Sequence, residues 1–183
     1  MKRFFYISFF TGLLFLSGPL TGPAQAKTAG EINAGTEDTL KKLQLEVPGA
    51  VDVLKKAKGV LIFPGIWKGG IGLGGEYGEG VLKVKDKIKD YYSITGLSLG
   101  FQLGLQKHRF IIAFMEDSAF NQFRASDGWE LGLDGSAVLV KVGVDGRIDS
   151  YTSNAPVLVF VVGKKGLMYN LTIEGYKIAK IKK

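Results

Sequence analysis

Residues 57–82 read AKGVLIFPGIWKGGIGLGGEYGEGVL, and the fold turns on how this stretch is read. Gly59 to Pro64 is a short apolar run bounded by glycine and proline, the pattern of a buried strand. Gly70-Ile71-Gly72-Leu73-Gly74-Gly75 has the spacing of a dinucleotide-binding fingerprint. That motif needs a helix directly afterwards, whose N-terminus holds the pyrophosphate. Here Glu76-Tyr77-Gly78-Glu79-Gly80 follows, and then a second apolar run, GVLKVK, from Gly80. Two carboxylates would repel a phosphate, and no helix signal comes next. The glycines therefore read as a strand or bend where another element packs closely, with Gly72 and Gly74 as the permissive positions. Glu76 and Glu79 could serve as acid/base partners, but in a turn beside glycines they read as plain solvated acids.

Downstream the strand pattern continues. DYYSITGLSL, FQLGLQ and RFIIAFM are rich in branched and aromatic residues and separated by turn-like groups. EDSAFNQFRAS interrupts them as a short helix, with Asp117 as its cap and Phe120 and Phe123 on one face. After Asp127-Gly128 strands resume with WELGLDGSAVLVKVGV. Asp145-Gly146 signals a hairpin. PVLVFVV and GLMYNLTI flank Gly163-Lys164-Lys165-Gly166, a second hairpin candidate, and Tyr176 to Ile181 alternates apolar and basic residues.

Upstream the period changes to that of a helix. Ile32, Thr36, Leu40, Leu43 and Val47 recur every three or four residues, an amphipathic stripe. Glu31, Glu37 and Asp38 lie early and Lys41 and Lys42 late, as the helix dipole favours. Pro48 suits a first helical turn, so a break falls there. Ala50, Val53, Leu54 and Ala57 form a second stripe, closed by Lys55, Lys56, Lys58 and Gly59. Further upstream, Lys2 and Arg3 precede an apolar run from Phe4 to Leu16. Helix breakers follow, and then Ala24-Gln25-Ala26, the small-x-small pattern cut by a signal peptidase. The apolar run is shorter than the ~20 residues of a spanning helix. The expectation is a signal peptide over 1–26, with Lys27 as the mature N-terminus. Its removal takes two cations and no acid, so the formal charge falls from +7 to +5.

Composition narrows the chemistry. The chain has no cysteine and one histidine, His108. Disulfides, thiolate metal sites, thiol catalysis and multi-imidazole zinc are thereby removed. Gly96-Leu97-Ser98-Leu99-Gly100 fits a hydrolase nucleophile elbow, which needs a sharp strand-to-helix turn with an acid and then a histidine later in the chain. The flanks of Ser98 alternate as a strand, and no acid lies between Ser98 and His108. His108, between Lys107 and Arg109, reads as a solvated residue at a turn. Asn170-Leu171-Thr172 fits a glycosylation sequon within a strand. Nothing calls for a metal or cofactor.

Three blocks carry a resemblance. The stretch Ala57 to Leu82, the stretch DSAFNQFRASDGWELGLDGSAVLV (Asp117 to Val140) and the ending GKKGLMYNLTIEGYKI (Gly163 to Ile178) resemble the SYLF domain family, in family order. The resemblance implies a lipid-binding module. Eukaryotic members bind phosphoinositides and, in the yeast branch, actin; bacterial members are typically exported.

The sequence is thus expected to give an α+β fold, an antiparallel β-barrel or closed sandwich with N-terminal helices packed on it. Residues 27–183 would form a single SYLF-like domain, a helical front over 28–58 and a β-rich body over 59–183. The expected function is non-catalytic binding of lipid or phospholipid at a membrane surface in the cell envelope, by a periplasmic or secreted protein. Lys41, Lys42, Lys55, Lys56, Lys58, Trp67 and Lys68 are the candidate lipid-binding residues, since basic side chains meet anionic head groups and tryptophan suits the interface. Nucleic acid and actin are not expected partners of an exported chain. Two rivals are a carrier for a small apolar ligand inside the β body and a serine hydrolase using Ser98.

Overall fold

The computed structural model describes residues 26–100, 106–134, 136–140, 148, 155–163 and 175–183. Outside the described residues lie positions 1–25, most of FQLGLQ, the hairpin candidate Asp145-Gly146, residues 164–166 of the second hairpin candidate, the segment GLMYNLTI expected as a strand, and the sequon at 170–172.

Two helices open the fold, α1 (Ala29–Glu46) and α2 (Ala50–Lys56). Thr28 caps α1 in a reciprocal capping box with Glu31. Seven strands follow among the described residues. They are β1 (Gly59–Val84), β2 (Lys87–Gly100), β3 (Gln106–Phe114), β4 (Trp129–Leu131), β5 (Ala137–Leu139), β6 (Val157–Val162) and β7 (Tyr176–Ile181). Helix α3 (Asp117–Ala125) stands between β3 and β4. The strands form one nearly closed, barrel-like sheet in the order β4-β7-β2-β1-β3-β6-β5. All described pairs are antiparallel except β5 with β6. This is the expected α+β architecture, with the N-terminal helices packed on the sheet.

β1 organises the whole. Its first part pairs with β3 and its second with β2. Eighteen extended residues would span about 60 Å. Yet a Cβ added at Gly80 would lie 2.2 Å from the carbonyl oxygen of Ile62, and one at Gly78 would lie 2.9 Å from that of Gly65. The strand therefore doubles over itself, with the run from Gly69 to Gly75 at the bend, and it serves as the corner between two halves of the sheet. Among the described surroundings, the close approach falls at Gly78 and Gly80. Pro64 does not end the strand. Phe63 pairs with Phe110 and Ile66 with His108, so one extra residue is absorbed in a bulge at Pro64-Gly65. A bulge is where a residue without an N–H can sit inside a sheet.

The bulge also sets facing. Leu61 and Phe63, then Ile66, point into the barrel, while Val60 and Ile62 point out beneath the helices. β6 explains its unbroken apolar run the same way. Val157, Val159 and Val161 fill the interior, and Leu158, Phe160 and Val162 meet the layer under α1. Ile32 and Leu43 seal that outer layer, each worth roughly 1.5–3 kcal/mol on full burial. Helix α3 plugs the interior with Phe120 and Phe123, as its pattern predicted. Phe123 stacks on Phe114 at 4.7 Å and meets Trp129 edge-on at 5.6 Å. Asp117 is not the cap of α3, which is Glu116; it lies in the first turn and pairs with Lys58 at 2.8 Å.

Candidate functional site

The angle between α1 and α2, above the tip of the β1–β2 hairpin, leaves a cleft of about 370 Å³. Leu40, Leu43, Val51, Leu54, Ala57, Val60 and Ile62 supply its apolar lining. Lys41, Lys55, Lys83 and Lys85 stand around it with Glu37 and Asp86. Lys83 pairs with Glu37 at 3.2 Å and Lys55 with Asp52 at 3.1 Å. The cations outnumber the acids lining the cleft, so its field is positive.

The sequence-derived basic group is divided by the fold. Lys41 and Lys55 line the cleft. Lys42 pairs with Asp38 at 3.3 Å, and that carboxylate also meets Arg109 at 3.4 Å. Lys56 is exposed on α2. Lys58 ties the start of β1 to α3 through Asp117. Trp67 and Lys68 stand apart from these, about 13 Å or more along β1 from Ile62 at about 3.3 Å per ladder step. Trp67 is 40% exposed, with Lys107 5.2 Å above its ring. Lys83 and Lys85 were missed by sequence reading. The available signal was alternation, since Lys83 shares the face of Val81, which packs beneath the helices.

Lys68 leads to a second group, inside the barrel. Glu76 has a side chain only 3% exposed, not the solvated turn position expected. It accepts a 2.6 Å hydrogen bond from the Tyr176 hydroxyl and lies 3.4 Å from Lys68 Nζ. His108 Nε2 is 3.1 Å from the same carboxylate. This contact is within hydrogen-bond distance, though off the ideal angle. Burial pushes the Glu76 carboxyl up, but His108, the Tyr176 hydroxyl and Lys68 outweigh it and hold it at about 2. Tyr176 is pushed well above the usual phenol range by burial and by the hydrogen bond it donates to that carboxylate. His108 is not at a turn either; it lies buried in β3 opposite Ile66. Gly96 makes room for Tyr176, since a Cβ there would lie 2.7 Å from its ring.

Ser98 lies within β2, paired with Gly74 in extended backbone. The strand-to-helix turn that an elbow requires is not found at this position. The Gly70–Gly75 run is likewise followed by strand as far as Val84, not by a helix.

Residues 95–183 match a family model described as Ysc84: Las17-binding protein actin regulator. That model is of the SYLF family, the one the three sequence blocks resemble. The match covers the second and third blocks recognised in the sequence, while the block from Ala57 to Leu82 precedes it. That block nevertheless belongs to the same sheet, because β1 pairs with both β2 and β3. The SYLF match thus holds β3 to β7 and the end of β2, and the cleft lies wholly on the residues before it. No curated protein matches the chain.

Proposed function

We propose that this SYLF protein binds anionic phospholipid at a membrane surface of the cell envelope after loss of residues 1–26, without catalysing a reaction. The observation that carries the reading is the cleft between α1, α2 and the β1–β2 hairpin, with an apolar lining and Lys41, Lys55, Lys83 and Lys85 around it. An amphiphile has those two parts: an apolar tail for the lining and an anionic head for the lysines. No helix among the described residues is long and apolar enough to cross a bilayer, so attachment in this reading is at the surface. The family description names an actin regulator; an exported chain would not meet actin. The rival carrier reading has less support, because the described barrel interior is occupied by Phe114, Phe120, Phe123 and Trp129 in mutual contact.

The test is vesicle sedimentation with the chain beginning at Lys27. Vesicles containing phosphatidylglycerol should retain the protein, phosphatidylcholine vesicles should not, and salt should weaken retention. Changing Lys41, Lys55 and Lys85 together to Gln should weaken binding by at least tenfold, at up to about 1 kcal/mol for each lysine near the surface. Changing Lys56, Lys58 and Lys68 together should matter less. Equal binding to neutral and anionic vesicles, or an unaffected cleft variant, would remove the proposal.

A further inference from the structure

Glu79 lies on the outward face of β1, toward the start of α1, with a side chain 5% exposed. Its carboxylate accepts from Lys183 Nζ at 3.0 Å on each oxygen and from the Tyr77 hydroxyl at 2.9 Å. The backbone N–H of Lys27 donates to it at 3.2 Å. Lys183 Nζ also donates to the Lys27 carbonyl at 2.7 Å. Both sides of Lys27 are therefore held, its nitrogen by Glu79 and its carbonyl by Lys183. The next residue is fixed as well, since Thr28 begins the capping box with Glu31. Ala26, immediately before, is exposed.

A buried carboxylate is a costly partner for a neutral amide, and a fitting one for a cation. We infer that Glu79 is the receptor for the α-ammonium group of Lys27, which is created when the Ala26–Lys27 bond is hydrolysed. In that hydrolysis a leader peptidase uses one water. The C–N bond breaks, the Ala26 carbonyl carbon takes the hydroxyl, and the Lys27 nitrogen gains hydrogen and protonates at neutral pH. The nitrogen need not move to meet Glu79. One carboxylate then holds two ammonium groups, that of Lys183 and that of the new terminus, with the Tyr77 hydroxyl as third donor. Leader removal so becomes a stabilising step that fastens α1 to the barrel wall. The inference rests on the proposed cut after Ala26.

The test compares chains made with defined starts, at Lys27 and at Gln25, by thermal melting at neutral pH and low salt. The chain starting at Lys27 should melt several degrees higher, a gain of about tenfold in the folded-to-unfolded ratio. With Glu79→Gln the difference between the two starts should vanish. A measurement on unaltered protein guards against a variant that fails to fold. In the native chain starting at Lys27, an amine-acylating reagent should modify the α-amine at least tenfold more slowly than in urea. Equal melting of the two starts, or equal acylation folded and unfolded, would overturn the inference. Intact mass of the exported protein decides the cut separately. A different natural start would overturn the processing step, while the melting comparison would still decide whether Glu79 receives an ammonium group at Lys27.

Discussion

Glu76 and Gly80 are two positions where a single atom decides the outcome. Glu76 is held at about 2, against an ordinary carboxyl value of 4.5. Its folded value is the lower one, so its contribution is complete above about pH 4.5 and is lost as pH falls toward 2. The contribution is on the order of 3 kcal/mol. Glu76→Gln should lower the melting temperature at pH 7 and flatten the loss of stability between pH 4.5 and 2, which denaturation across that range would measure. At Gly80 any side chain meets the Ile62 carbonyl. Gly80→Ala should therefore cost at least about 1–3 kcal/mol, while Gly75→Ala, with open space around it, should leave melting nearly unchanged. Neither residue was legible in the sequence. Acids beside glycines ordinarily mark a solvated turn. What buries Glu76 and Glu79 is the doubling of β1, which brings up His108, Tyr176 and Lys183 from 32, 100 and 104 positions away.

Elements were more legible than residues where one period governs a segment. The stripe from Ile32 to Val47 gave α1, and the pair Phe120 and Phe123 gave the buried face of α3. The run PVLVFVV gave β6, because both faces of that strand are covered. Reading β1 as separate pieces failed because Pro64 and the glycine run look like terminators, whereas a bulge and a bend keep one strand going. The tip of the β1–β2 hairpin also escaped notice, since Lys85-Asp86 lacks the usual turn glycine. Both residues have positive φ, 49° and 61°, the geometry of a type I′ turn. Non-glycine residues there carry about 1 kcal/mol or more of steric cost each. Asp86→Gly should consequently stabilise the protein by roughly 0.5–1 kcal/mol, read as a shift in the urea midpoint. Because Asp86 is one of the two acids lining the cleft, its loss should also strengthen retention on anionic vesicles at low salt, not weaken it.

At the scale of the molecule, the fold class was readable from the switch in period at Gly59, but the cleft was not. It is assembled from α1, α2 and a hairpin tip, and only tertiary packing brings Lys83 and Lys85 to Lys41 and Lys55. Sheet order carries a further consequence. β7 comes last in chain order yet lies between β4 and β2. Deleting residues 176–183 should therefore abolish the cooperative melt, not trim an edge, since β4 would lose its partner and Glu79 its lysine. The same placement sets a timetable. A chain emerging from the ribosome can build α1, α2 and the β2–β1–β3 part of the sheet early, but the sheet cannot be completed until Tyr176 to Ile181 have been synthesised. Until then the nascent polypeptide keeps an open seam and remains threadable. A secretion channel that accepts only unfolded substrate would find in this strand order a built-in delay.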